Sequence, residues 1–338
     1  MRAVVTTANV DVRVMKVQEQ PDPTPKRGEV LVRVKAAGLN FADILARQGL
    51  YPDGPPKPCI MGYEVSGVIE STGEAVDREL VGQAVIAMTR FKGQAELVAV
   101  PEMQVFEKPA NLSFEEAAAI PVNYLTAWAL LVVMGGLQKD EAVLIHNAGG
   151  GVGLAALDIA KHIGAKTYGT ASPSKHQFLK QRGLDHPIDY RNQDWLPVLL
   201  ELTNGRGVEL VIDPLGGKHW EKSYRALRTT GRMGMFGMSV ASASGIRGKL
   251  RAMKAMAQMP RFNPLKLINR NRGVFGLNLG HMWGEGEKVA GWTGEIMRGV
   301  AEGWIRPHVD RTFPFAQIAD AHLYLEERKN IGKVVLVP

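Results

Sequence analysis

Ala142-Val-Leu-Ile-His-Asn-Ala-Gly-Gly-Gly-Val-Gly153 decides the fold. A short apolar run ends in a glycine cluster, and the cluster opens into the apolar-periodic segment Leu154 to Ile163. That order is strand, tight turn, helix. Glycine is needed there because so tight a turn demands unusual φ/ψ, and because a pyrophosphate reaches the backbone only where no Cβ intervenes. The free N–H groups at the helix start then face an anion, and the helix dipole favours it. The spacing is Ala148-x-Gly150-x-x-Gly153, with alanine where G-x-G-x-x-G usually opens. In this context the turn reads as a dinucleotide site; a plain packing turn is the alternative.

Outward from this stretch, strands alternate with helical patterns. Strand candidates are Val143 to His146, Lys166 to Thr170, Val208 to Asp213, Arg232 to Phe236 and Gly273 to Leu279. The alternation predicts an α/β domain with a doubly wound parallel sheet. Residues 1 to about 120 read differently: Val30 to Lys35, Val65 to Glu70, Ala84 to Met88 and Glu96 to Val100 are strand candidates separated by Pro- and Gly-bearing turns. Ser113, with Glu116 three residues on, predicts a capped helix start. A helical segment Val289 to Glu302 precedes a return to strand at Lys333 to Val337, so the middle domain is expected to be inserted into the first.

The composition bounds the function. The 338 residues suffice for two domains, with ordinary apolar (45%) and charged (22%) content. The single cysteine, Cys59, allows no internal disulfide and fits a reducing, cytoplasmic setting. The N-terminus has no apolar h-region, so no secretory signal is expected. The near-apolar run Tyr124 to Leu137 is too short to span a bilayer and predicts a buried helix. The net charge of +7 is concentrated: Ile246 to Gly273 carries eight basic residues and no acid. Within it Leu250, Met253, Met256 and Met259 recur at near-helical spacing. Three readings stay open for this segment: the wall of an apolar pocket, a peripheral contact with an anionic membrane or acidic partner, and a solvated helix. It lacks interleaved aromatics apart from Phe262, so specific nucleic-acid binding is not expected.

Several segments together resemble the medium-chain dehydrogenase/reductases, in their zinc-free quinone oxidoreductase branch. They are Gly38-Leu-Asn-Phe-Ala-Asp-Ile-Leu-Ala-Arg-Gln-Gly-Leu-Tyr51, the P-x-x-x-G-x-E-x-x-G turn Pro58 to Gly67, Gly93 to Val98, Tyr124 to Trp128 and Ile331 to Pro338. The tail from Asn278 through Asp310 is similar to the vesicle amine transport protein 1 subgroup. Gly82-Gln-Ala-Val departs from the usual G-D-x-V. The resemblance implies a Rossmann domain (121–305) inserted into a GroES-like catalytic domain (1–120 and 306–338). It also implies a homodimer paired at Gly273 to Leu279, and reduction of a quinone or α,β-unsaturated carbonyl. A catalytically weak coenzyme-binding protein acting through surface attachment is the alternative.

Zinc-dependent relatives place a Cys and a His on the metal; Asn40 and Tyr63 stand at those places here, so no metal is expected. The window Lys166 to Lys180 contains no acid to hold a ribose 2′-OH but does hold Ser172 and Lys175. NADPH is therefore the expected coenzyme. The expected coenzyme contacts are Thr126, Asn147, Gly150, Gly151, Val152, Gly153, Ser172, Lys175, Tyr190, Asn278 and Lys333. At the reaction centre, Asn40 is the expected amide donor to the acceptor oxygen, Asp43 an orienting carboxylate, and Tyr51 and Tyr63 candidate phenol donors. Each has a plainer reading: Asn40 and Asp43 as helix caps, Tyr51 as a turn residue before Pro52, Tyr63 as core. His146 reads as a satisfied structural histidine.

Overall fold

The computed structural model describes residues 1–9, 11–51, 53–241 and 245–338. Pro52 and the side chains of Ile246, Arg247, Lys249 and Arg251 lie outside the described residues. The chain divides into two compact units: Met1–Leu125, Gly280–Gly303 and Pro307–Pro338 form the first, and Thr126–Leu279 with Trp304–Arg306 form the second. One element differs from the expected division. Helix Gly286–Ala301 belongs with the first unit, where its Thr293 and Ile296 face Ile86, Met88 and Phe106 across a small void. An amphipathic stripe shows that a helix buries one face, not which core receives it.

In the first unit, strands alternate because one face of each is buried. Within Val30–Leu39 only Arg33 and Lys35 reach solvent. The larger sheet runs in the order Val309–Pro314, Lys333–Val337, Glu29–Leu39, Glu64–Thr72, Ala84–Met88 and Val105–Glu107, with Leu97–Pro101 also paired to Glu29–Leu39. All its pairs are antiparallel except the first, so the C-terminal strand is locked against Glu29–Leu39. That pairing brings Val334 opposite Leu39, and so Lys333 beside Asn40. A smaller antiparallel sheet joins Met15–Glu19, Arg2–Thr6 and Cys59–Ile60. Val4, Val32, Val34, Val65, Val98 and Leu336 sit in the core behind them.

Among the described residues, the second unit holds six parallel strands: β1 (Ala142–Ile145), β2 (Lys166–Ala171), β3 (His186–Asp189), β4 (Val208–Asp213), β5 (Leu227–Met235) and β6 (Gly273–Gly276). Their order is β3-β2-β1-β4-β5-β6. The direction of winding reverses between β1 and β4, and ligands of such sheets bind outside the strand ends at that point. The helices are α1 (Gly151–Ile163), α2 (Pro173–Gln181), α3 (Trp195–Leu202), α4 (His219–Arg225), α5 (Gly245–Ala257) and α6 (Pro264–Arg270). Helical backbone from Phe114 to Val133 is longer than the expected buried run and passes by length and composition for a membrane span, yet most of it is buried within the protein. Its last turn, Ala129–Val133, is of the π type.

Candidate active site

The second unit builds an anion cradle at the end of β1. Asn147 adopts a left-handed φ of 55°, and its carbonyl accepts the Gly150 N–H at 2.9 Å. A Cβ on Gly153 would stand 2.4 Å from the Asn147 carbonyl oxygen and 2.6 Å from that of Ala148. Only glycine lets α1 start so close to the strand. Gly151 and Val152 open α1, a helix with no acid in its first turn and no side-chain cap. Its N-terminal partial charge is therefore left for a ligand. Lys175 lies across the cradle: a Cβ on Gly149 would meet its Cδ at 2.8 Å, and the residue is only 8% exposed. Ser172, the cap residue of α2, places its hydroxyl 3.2 Å from that of Ser174, and its carbonyl accepts the Lys175 N–H at 2.9 Å. Tyr190 is half-buried against the cluster of Tyr168, Ile188 and Trp195. Thr126 is buried in helix Pro121–Trp128, and Asn278 is exposed beyond β6.

The first unit builds a buried polar cluster around Asn40. Asn40 starts helix Phe41–Arg47, and its backbone N–H donates to Asp43 Oδ2 at 2.9 Å. Gly62 N–H donates to Asp43 Oδ1 at 3.0 Å. Burial pushes the Asp43 carboxyl up to about 7, against the pull of those N–H groups and the Lys333 charge. Both its oxygens are thus spent on orienting backbone. The Asn40 side chain is engaged as well. Its Oδ1 accepts from Lys333 Nζ at 2.7 Å, while Nδ2 donates to Glu64 Oε1 at 2.8 Å and, at a long 3.3 Å, to the Gly38 carbonyl. Lys333 also donates to Glu64 Oε1, and Glu64 Oε2 accepts the Val122 N–H at 2.7 Å. Gly38 makes room for this: a Cβ there would fall 2.6 Å from Glu64 Oε1 and 2.7 Å from Lys333 Cε.

Two of the expected site residues are already engaged within this cluster. Lys333, expected among the coenzyme contacts, spends its ammonium on Glu64 and Asn40, because β-pairing seats it beside a buried carboxylate. Asn40 is not a freely presented amide; of its donors, only the long contact to Gly38 is weakly held. Tyr63 lies edge-on to Tyr51 at 6.1 Å and against Phe91 at 5.0 Å. Burial, and then the nearby Asp43 charge, hold its phenol well above the usual range.

His146 is fully enclosed. Burial, then neighbouring His219, push its imidazole down to about 3. Its Nδ1 lies 3.0 Å from Thr170 Oγ1 and its Nε2 3.1 Å from Ser223 Oγ. Ser223 donates to Asp213 Oδ2 at 2.6 Å, which also lies 2.6 Å from His219 Nδ1. His146, Asp213 and His219 are the one group among the described residues with metal-ligand spacing, but their donor atoms are already joined by hydrogen bonds through Ser223. Asp213 Oδ1 accepts the Leu215 N–H at 2.7 Å and so fixes the turn after β4. Sequence reasoning assigned no role to Glu64, Asp213 or Ser223. Glu64 had a signal, as the acid of the P-x-x-x-G-x-E turn; the others had none.

Comparison with known proteins places these two halves. Residues 26–110 match the family described as Alcohol dehydrogenase GroES-like domain, and residues 182–336 match Zinc-binding dehydrogenase. The human Synaptic vesicle membrane protein VAT-1 homolog is 40% identical over 100% of this chain and 86% of its own length. Among solved structures, the human VAT-1 homolog-like protein has a TM-score of 0.87 at 30% identity, covering 100% of this chain and 98% of that one. The Escherichia coli quinone oxidoreductase complexed with NADPH has a TM-score of 0.88 at 29% identity, covering 100% of both chains. CurK enoyl reductase has a TM-score of 0.85 at 28% identity over 99% of both.

Proposed function

This chain belongs to the medium-chain dehydrogenase/reductase superfamily, alongside the VAT-1 homologues and quinone oxidoreductases, and on that footing we propose that it is an NADPH-dependent reductase of quinones or α,β-unsaturated carbonyls. The observation that carries the reading is the glycine cradle with Lys175 lying across it and no acid from Lys166 to Lys180. When bound, NADPH supplies a hydride. The N-terminus of α1, with Asn147 to Gly153, takes the pyrophosphate, and Ser172, Lys175 and Tyr190 take the 2′-phosphate. Thr126 and Asn278 serve the nicotinamide end.

Hydride addition moves an electron pair onto the acceptor oxygen. Quinones and enones suit a site of hydrogen-bond donors because the resulting phenolate or enolate is delocalised. Asn40 is the donor, through the Nδ2–H now resting near Gly38, and water supplies the proton. Zinc does not fit this cluster: the oxygen of Asn40 already accepts from an ammonium, and the buried Tyr63 phenol is held in its neutral form. No step runs through a metal. We place the enzyme in the cytoplasm as a homodimer paired along β6, the edge of the parallel sheet. Initial rates with NADPH and NADH against a panel of quinones and enones test the reading; equal efficiency with both coenzymes, or turnover of neither acceptor class, overturns it.

A second reading rests on a separate observation. Leu250, Met253 and Met256 on α5, and Leu265 and Ile268 on α6, are each more than half exposed, in a stretch without one acid. Apolar side chains among lysines and arginines favour an anionic membrane surface, and the relatives carry "synaptic vesicle membrane protein" in their names. Co-sedimentation with vesicles containing phosphatidylserine, but not with pure phosphatidylcholine, is expected; no binding to either removes this reading.

A further inference from the structure

The buried ammonium of Lys333 has no assigned role in the proposed reaction, and its surroundings give it one. Lys333 is 3% exposed and Glu64 fully buried, so the pair carries no net charge out of water but costs desolvation to keep. Its three donors are unequally spent. One goes to Glu64 Oε1 and one to Asn40 Oδ1 at 2.7 Å. The second matters because an amide can be turned end for end. An ammonium at Oδ1 and a carboxylate at Nδ2 both oppose the flip, so the amide has one orientation. The pull on Oδ1 also polarises the amide and strengthens its N–H groups as donors. Of those two, one is committed to Glu64 at 2.8 Å, and the other makes only the 3.3 Å contact to Gly38. Asn40 is also, at 8%, more exposed than Asp43, Glu64 or Lys333. The weakly held N–H is therefore on the cluster's most open member.

We propose that Lys333 is a positioning residue for hydride transfer: with Glu64 it fixes and polarises the Asn40 amide, so that the loosely held Nδ2–H meets the oxygen that becomes negative. This rests on the reading of Asn40 as the oxygen's donor. The balance is simple. The hydride carries two electrons from the coenzyme to the acceptor, the coenzyme is oxidised, the acceptor oxygen becomes an enolate or phenolate, and water protonates the product. Lys333 acts only through Asn40 and transfers nothing itself.

The test is single-turnover hydride transfer from NADPH, with the 4-deuterated coenzyme confirming that this step is observed. Asn40→Ala, Lys333→Met and the double variant are compared for a quinone and an enone. Loss of one preorganised donor slows such steps by roughly 10²-fold. Lys333→Met is expected to approach that loss, Lys333→Arg to recover most of the rate, and the double variant to be no slower than the slower single one, since both remove the same interaction. The enone is expected to lose more than the quinone, because its enolate is the more basic oxyanion. A uniform slowing of both acceptors would mean a merely structural lysine. If Lys333→Met folds poorly, the neutral pair Lys333→Met/Glu64→Gln takes its place with the same expectation. Unchanged rate in Asn40→Ala sinks the donor reading. Slow Asn40→Ala with normal Lys333→Met, or additive losses in the double variant, overturns the inference about Lys333 alone.

Discussion

Replacing Lys175 with alanine isolates the choice of coenzyme. The side chain is almost wholly buried and spans the loop at Gly149, so its charge is little screened by solvent. A charge-assisted hydrogen bond is worth about 1.5–3 kcal/mol, and each ~1.4 kcal/mol is a factor of ten. Lys175→Ala is thus expected to raise the NADPH dissociation constant by roughly 10- to 150-fold. NADH has no 2′-phosphate, so its affinity is expected to move little, and the two coenzymes converge. The assay is calorimetric titration of wild type and variant with both coenzymes, beside thermal melts that register lost packing over Gly149. The reasoning is refuted if NADH and NADPH weaken in parallel, or if NADPH binding is untouched.

Other substitutions probe the scaffold. Gly153→Ala pushes a Cβ against two carbonyl oxygens; a cost of about 1–3 kcal/mol and loss of NADPH binding are expected, and a wild-type melt with wild-type affinity would contradict the geometry. Stability is also expected to fall with acid. His146 and His322 are buried and held near 3, below the ~6.5 of an unfolded chain, so their contribution is complete above about pH 6.5 and drains away as pH falls towards 3. Asp43, raised to about 7, runs the other way: its contribution is complete below about 3.8 and is lost as pH rises to 7. From about pH 6.5 to 5 the histidines lose about 3 kcal/mol and Asp43 restores about 2, a net loss of about 1. Denaturant titrations across that range should show it, and His322→Leu should flatten the slope; an unaltered slope in that variant rules the account out. Metal analysis should find far less than one zinc per chain, with turnover surviving chelator dialysis; stoichiometric tightly held zinc would refute the metal-free site.

The parts of the fold legible in the sequence were those fixed by local chemistry. Gly153 announces its turn because no other side chain fits there, and Ser113 with Glu116 closes the capping box its spacing predicts. Strand β3 was not legible: His186-Pro-Ile-Asp is short, contains proline and shows no alternation. The periodicity of Gly286–Ala301 marks a helix, but amphipathy does not name the core that receives it, and the helix packs with the first unit. The bond from Lys333 to Asn40 spans 293 positions and exists only because of strand pairing. Likewise, the links among His146, Ser223 and Asp213 depend on two neighbouring strand ends and a helix. Residue types suggested the chemistry of the site; topology decided which partners each would have.

If the cradle at Asn147 to Gly153 holds NADPH for hydride transfer, the bound coenzyme gives up its electrons to a suitable acceptor. Coenzyme oxidation by the purified protein, followed with a quinone and with an enone, reads this out. Oxidation of NADPH, at least about 10²-fold more efficient than that of NADH, is the predicted result. Failure of either acceptor to draw electrons from bound NADPH, or equal use of NADH, would contradict it.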